Sequence, residues 1–168
     1  MSVFKTVLEI KKLLGSLETC LDKGVAYAAT KKFEPSVLLQ SRLAPDMFPL
    51  VRQVQFTCDQ AKWVAARGTG KDAPAHEDKE TTVDELKARI KSVVAYLDGF
   101  KEADFAGMET RTLSLPRWEG KKMTALDYVT EHAIPNFFFH LMTTYLILRH
   151  NGVDVGKRDY LGALTYQA

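Results

Sequence analysis

The sequence has few cysteines and no excess of either charge. Only two of its 168 residues are cysteine, Cys20 and Cys58, and both fall on apolar positions of predicted helices, so no disulfide framework is expected. The 23 basic and 21 acidic residues give a formal net charge of +2. That balance offers no strong electrostatic attraction to nucleic acid or to an anionic membrane, and neither partner is expected.

Long hydrophobic runs are missing as well. The longest apolar run, residues 133–148, has about 16 residues and includes Pro135, Asn136 and His140, whereas a membrane-spanning helix needs about 20. Lysines and a glutamate interrupt the first segment, MSVFKTVLEIKKLL, so it does not have the continuous apolar run of a secretory signal. We therefore expect no membrane segment and a location in the cytoplasm.

Complete signatures of nucleotide-binding loops and of hydrolases are also lacking. The RGTGKD segment at 67–72 and the GKR segment at 156–158 resemble fragments of a phosphate loop, but neither completes the pattern and no strand precedes them. No nucleophile-elbow sequence occurs. His76 lies in a polar loop at 67–80, where we expect it to be solvated.

The sequence does contain four long segments with apolar residues at steps of three and four, which is typical of amphipathic helices. Their expected bounds are 3–30, about 46–67, 83–98 and 125–150. Thr82-x-x-Glu85 is a capping-box signal for the third helix, and Thr124-x-x-Asp127 resembles an N-terminal cap for the fourth. A possible helical turn at 36–39 lies in the first connection.

The residues at 109–123 change character from helix to hairpin. Threonine and serine alternate with arginine and leucine, and turn residues follow around Trp118. Together with the four helices, this predicts an all-α fold: a single domain over 1–168, built as a four-helix bundle with a small β-hairpin inserted before the last helix.

The last predicted helix is apolar on nearly every side. Phe137, Phe138 and Phe139 point in different directions from its axis, so neighbours must surround it. Such a helix either lies at the centre of its bundle or also packs against a second subunit, and for a domain of this size we expect the second arrangement, as a homodimer. Pro135 lies inside this helix and predicts a kink.

A polar stripe interrupts this apolar helix. His132, Asn136 and His140 recur at spacings of four, which places them on one face. Metal sites often use two histidines four residues apart, but here the residue four positions before His140 is Asn136. Eight helical residues put about 12 Å between His132 and His140, too far for one ion.

The second helix contributes no histidine to this stripe. Its polar candidates nearest the core are Gln53 and Gln55, with Asp59 further out. A set of histidine, asparagine and glutamine is a poor zinc site, because zinc favours imidazole nitrogen, thiolate and carboxylate. An alternative is that His140, Asn136 and Gln55 bond to one another and to the carbonyl freed by Pro135.

Three segments carry a resemblance to a known family. RLAPDMFPLVRQVQ at 42–55, HAIPNFFFH at 132–140 and LRHNGVDVGKRDYLG at 148–162 resemble the signature segments of a family of unknown function in the DinB-like superfamily. The resemblance covers nearly the whole chain and implies a four-helix bundle that commonly dimerises. It also implies an ancestral metal site, used in some members for thiol-dependent transfer or isomerisation.

The same resemblance implies where that metal site would be. The superfamily pattern has one histidine on the second helix and two, four residues apart, on the last. Here His140 keeps the final position, Asn136 replaces the middle one, and the second-helix position falls near Gln53 or Gln55. Only one of the three ligands is kept.

Three hypotheses follow for the function. The first is a dimeric small-molecule-binding bundle with a degenerate metal site and no cofactor, whose pocket is lined by Gln53, Gln55, His132, Asn136 and His140. The second is a divergent metal-dependent enzyme in which His140, Asn136, Gln55 and Asp46 hold Zn, Ni or Fe. The third is a structural or interaction module in which the stripe only sets the helix register.

Overall fold

The computed structural model describes residues 2–166 and confirms the all-α bundle with its inserted hairpin. The helices are α1 (Val3–Lys31), α2 (Ser36–Gln40), α3 (Leu50–Thr69), α4 (Val83–Asp98), α5 (Ala125–Asp127), α6 (Ile134–His150) and α7 (Lys157–Leu161). A π-helical segment, Tyr128–Ala133, joins α5 to α6. Short 3-10 turns cover Glu102–Phe105 and Pro116–Trp118.

The long helices α1, α3, α4 and α6 pack around one apolar core. The antiparallel hairpin pairs β1 (Thr112–Leu113) with β2 (Met123–Thr124), and α7 lies against α1. Cys20 and Cys58 are buried, unbonded thiols, and burial raises their pKa values to about 11 and about 12. Within residues 2–166, no helix combines the length and the apolarity that a membrane crossing requires.

The capping signals that the sequence predicts are formed. The Thr82 hydroxyl accepts from the Glu85 amide while the Glu85 carboxylate accepts from the Thr82 amide, and Thr124 caps the start of α5. The predicted start of the second helix near Asp46 is wrong, because α3 begins at Leu50. Pro49 is extended and disfavours a helical conformation for the residue before it, so the chain cannot turn into the helix earlier.

The irregularity predicted at Pro135 takes the form of a π-helical turn. The Ile134 amide bonds to the carbonyl of Val129, five residues back, and α6 then resumes with Pro135 in its first turn. Proline has no amide hydrogen to donate. The carbonyl four residues before Pro135 belongs to Glu131, whereas Nδ2 of Asn136 lies 2.7 Å from the His132 carbonyl, so Asn136 does not replace the missing bond.

The bundle leaves one face of α6 uncovered. Phe137 is fully buried, but Phe139 is 56% exposed, and Phe138, Met142 and Leu146 are each more than a third exposed. One chain alone therefore does not cover the last helix on every side, and the expected second subunit stays a prediction.

A buried arginine on α4 holds the loop that follows α3, a feature that the sequence analysis did not predict. The Arg89 side chain is 1% exposed, and its guanidinium lies 2.7 Å from Asp59, 2.6 Å from Asp78 and 3.1 Å from Glu80. Burial opposes ionisation of Asp78, yet hydrogen bonds from Arg89 and Arg52 hold the pKa of this carboxyl below its usual value. Arg89 therefore ties the loop to both helices.

Lys62 extends these contacts to the start of the loop. Its ammonium lies 2.8 Å from Asp59 and 3.0 Å from Nδ1 of His76, and it also donates to the Pro74 carbonyl. The expectation that His76 is solvated is wrong: it is half-buried, and burial and the Lys62 charge lower its pKa. We call these connected ion pairs the Arg89 network, which is formed by Arg52, Asp59, Lys62, Asp78, Glu80 and Arg89. Its three cations and three carboxylates have no net charge.

Replacing Arg89 with methionine is expected to destabilise the protein by about 1–3 kcal/mol, because it removes the buried cation that three partly buried carboxylates share and leaves Glu80 without a charged partner. Urea denaturation followed by circular dichroism measures this. Lys79→Met is the matched control: Lys79 pairs with Glu77 on the open surface, and its removal should change the midpoint little. A small effect of both substitutions would contradict the structural role of the network.

Candidate functional site

The polar stripe of the last helix meets α3 at a single hydrogen-bonded pair. Gln53 is 2% exposed, and its Oε1 lies 2.8 Å from Nδ1 of His140. The Gln53 Nε2 donates to the carbonyl of Phe48 at 3.1 Å. Because the amide oxygen can only accept, His140 donates from Nδ1, and its Nε2 keeps a lone pair. The second-helix position of the site is therefore Gln53.

His140 is held between aromatic rings. The ring of Phe56 lies 4.9 Å from the imidazole and that of Phe139 lies 5.1 Å away, edge on. Burial disfavours the charged imidazolium and lowers the pKa of His140 to about 4. This imidazole is therefore neutral at pH 7, and it is a weak base.

The structure does not bring Gln55 to His140. Gln55 lies two residues from Gln53, about 200° further round α3. Its Nε2 donates to Glu80 at 2.8 Å, and its Oε1 accepts from Arg52 at 2.7 Å. Gln55 thus belongs with the Arg89 network. Asp46, the carboxylate considered for a metal, is exposed in the segment before α3.

The side chains around His140 do not form a ligand set that fits zinc. The Gln53 oxygen is engaged by His140, and the Asn136 amide is engaged by the His132 carbonyl. Within residues 2–166, no group of three or more histidine, cysteine, aspartate or glutamate side chains could hold an ion. The set contains only one imidazole, and its two carboxamides are not among the ligands that zinc favours, which are imidazole nitrogen, thiolate and carboxylate.

His132 lies apart from His140, in a cleft beside the hairpin. The hairpin cleft has a volume of about 330 Å³ and is lined by Gln60, Trp63, Arg67, Leu115, Pro116, Arg117, Tyr128 and His132. The His132 ring stacks on Tyr128, with centroids 5.0 Å apart and planes at 16°. Its Nε2 lies 2.8 Å from Nη2 of Arg117, which donates, so Nδ1 carries the proton.

Electrostatics keep this second histidine neutral too. Burial and the nearby Arg117 charge both lower the pKa of His132. Within the part of the chain that the structure describes, its Nδ1 is buried without a hydrogen-bond partner. One lining residue of the cleft therefore carries a buried, unpaired imidazole nitrogen and lies beside a cationic side chain.

The residues that complete the cleft were not identified from sequence. Gln60, Trp63 and Arg67 follow steps of three and four along α3, so they share one face, and this spacing was a usable signal. The position of Arg117 could not be read in this way. It depends on how the hairpin folds back against α3 and the π-helical segment, which is a long-range contact.

Comparison with known proteins places these features in a family. The sequence profile of DUF1993, a domain of unknown function, matches residues 4–161. A DinB family member from Shewanella denitrificans, solved by crystallography at 1.83 Å resolution, is 54% identical and superposes with a TM-score of 0.93. The match covers 96% of this chain and 92% of that one. A search of curated proteins found no significant match.

Proposed function

We propose, from the premise that the chain belongs to the DUF1993 family and has the DinB-like fold, that it is a cytoplasmic, homodimeric small-molecule-binding protein. In this proposal the ancestral metal position holds the hydrogen-bonded pair of Gln53 and His140 and contains no metal. The ligand binds apart from this pair, in the hairpin cleft. The two unbonded cysteines agree with a reducing compartment.

The Gln53–His140 bond is the observation that carries the metal-free part of the proposal. The Gln53 oxygen accepts the His140 proton with one of its two lone pairs, so the pair offers an ion one imidazole nitrogen and one neutral carboxamide oxygen, which is a poor set for zinc. The Asn136 amide nitrogen donates to the His132 carbonyl in the π-helical segment. Gln53 and His140 therefore join α3 to α6, and Asn136 bonds within its own helical segment.

The hairpin cleft supports the ligand-binding part. Its volume of about 330 Å³ lies at the lower end of the range for small-molecule sites, about 300–1,000 Å³. Half of its eight lining residues are apolar or aromatic, and the other half carry polar groups that could orient a ligand. His132 and Tyr128 from the π-helical segment give it one wall.

Ligand binding is expected to persist when metal is removed. Thermal unfolding of the untagged protein is measured against a metabolite library with and without a chelator, and at least one compound should raise the midpoint equally in both conditions. Trp63→Ala, in the cleft, should abolish the shift. Phe48→Ala, an exposed aromatic residue outside the cleft, should not. The proposal fails if no compound stabilises the protein or if stabilisation requires added metal.

The uncovered face of α6 supports the dimer. Phe138, Met142 and Leu146 recur at steps of four, and Phe139 adjoins them, so they form one apolar strip on a long helix. A second copy can present the same strip, which gives a self-complementary interface around a two-fold axis. That arrangement would complete the burial of the last helix.

Leu146→Glu is expected to convert the dimer to a monomer, because it places a charge within an apolar contact. Light scattering coupled to size-exclusion chromatography measures the mass. Leu8→Glu introduces the same charge at an exposed leucine of α1 and should leave the dimer intact. A wild-type monomer, or a Leu146→Glu variant that stays dimeric, would contradict this interface.

A further inference from the structure

We infer that the hairpin cleft binds a planar aromatic ring bearing an oxyanion, with Arg67 and Arg117 as the anion-binding residues. The inference rests on the proposed function, since it names the chemical class of the ligand in the same cleft. The shared chemistry is that of an aromatic carboxylate or an aryl phosphate.

The charge of the cleft is uncompensated. Two guanidinium groups line it, and none of the lining residues is acidic. Among the described residues, neither Arg67 nor Arg117 has a carboxylate oxygen within 4.0 Å, whereas Arg52 and Arg89 are both paired with acids. Guanidinium groups bind carboxylates and phosphates through two parallel hydrogen bonds, so an oxyanion is the ligand group that this cleft lacks.

Unpaired polar atoms are concentrated around the same cleft. Within residues 2–166, four buried side-chain atoms have no hydrogen-bond partner, and three of them belong to lining residues: Oε1 of Gln60, Nε of Arg67 and Nδ1 of His132. Buried polar groups are normally bonded, and their exceptions often mark functional sites. Two of these three atoms are donors, as an anion requires.

The aromatic side chains of the cleft are the reason for proposing an aromatic ring in the ligand. The Arg67 guanidinium lies 4.6 Å from the centroid of Trp63, which orients both groups on α3. Tyr128 and His132 form a second stacked pair in the lining, and Leu115 and Pro116 contribute apolar surface from the hairpin. Two groups of flat π surfaces favour a planar ligand over a branched one.

The two arginines come from different parts of the fold. Arg67 lies in the last turn of α3, whereas Arg117 is exposed on the hairpin and reaches His132. An oxyanion that contacts both would join the hairpin to the bundle. The hairpin, whose role the sequence left open, would then supply one half of an anion clamp and α3 the other.

Isothermal titration of the wild-type protein with benzoate, phenyl phosphate, benzamide and inorganic phosphate tests the inference. At least one of the two aromatic anions should bind, and benzamide, which has the ring without the charge, should bind at least about tenfold more weakly. Arg117→Gln and Arg67→Gln should each weaken anion binding by about tenfold or more. Arg149→Gln, an exposed arginine outside the cleft, should leave it unchanged.

The possible outcomes separate the inference from the proposed function. Equal binding of benzamide, or unchanged affinity in Arg117→Gln, overturns the anion requirement while leaving a small-molecule site in place. Inorganic phosphate that binds as well as phenyl phosphate overturns the ring requirement. No binding of either aromatic anion up to about 10 mM overturns the inference, and the metabolite library then decides the proposed function separately. Because Arg117 is exposed, its variant remains informative even if Arg67→Gln unfolds.

Discussion

The packing of α6 on α3 is the contact on which both the fold and the candidate site depend. It is the most extensive helix pairing in the chain, and Phe137 is fully buried in the core. Apolar surfaces alone allow a helix to slide or rotate, whereas a buried polar pair is satisfied in one register. The hydrogen bond from His140 to Gln53 supplies that constraint. The same pair leaves for a metal only Nε2 of His140 and a neutral carboxamide oxygen, which zinc does not favour, so the position serves helix registration in place of metal binding.

Local signals in the sequence were sufficient for much of this architecture. The capping box at Thr82, the cap at Thr124 and the apolar steps of the long helices act over three or four residues, and the structure contains all of them. The inserted hairpin was predicted on similar grounds. The start of the second helix, expected at about residue 46, was placed too early because proline is tolerated both inside the first helical turn and just before it, and the sequence does not show which position Pro49 takes.

Long-range contacts set the limit of that prediction. The Arg89 network joins α3, α4 and the loop between them, and periodicity carries no information about which acids a distant arginine will meet. His76 was misjudged for the same reason, since its partner Lys62 lies on the preceding helix. The candidate site was divided in a comparable way: Gln53 and His140 meet, Gln55 joins the Arg89 network, and His132 turns to the hairpin.

The metal content of the wild-type protein, compared with that of the Gln53→His/Asn136→His double variant, tests the central claim most directly. Both proteins are prepared without tag histidines and equilibrated with Zn, Ni and Fe before elemental analysis. The account predicts little bound metal in the wild type and about one ion per chain in the double variant, where three imidazoles replace the present set. Near-stoichiometric metal in the wild type, or no gain in the double variant, would contradict it.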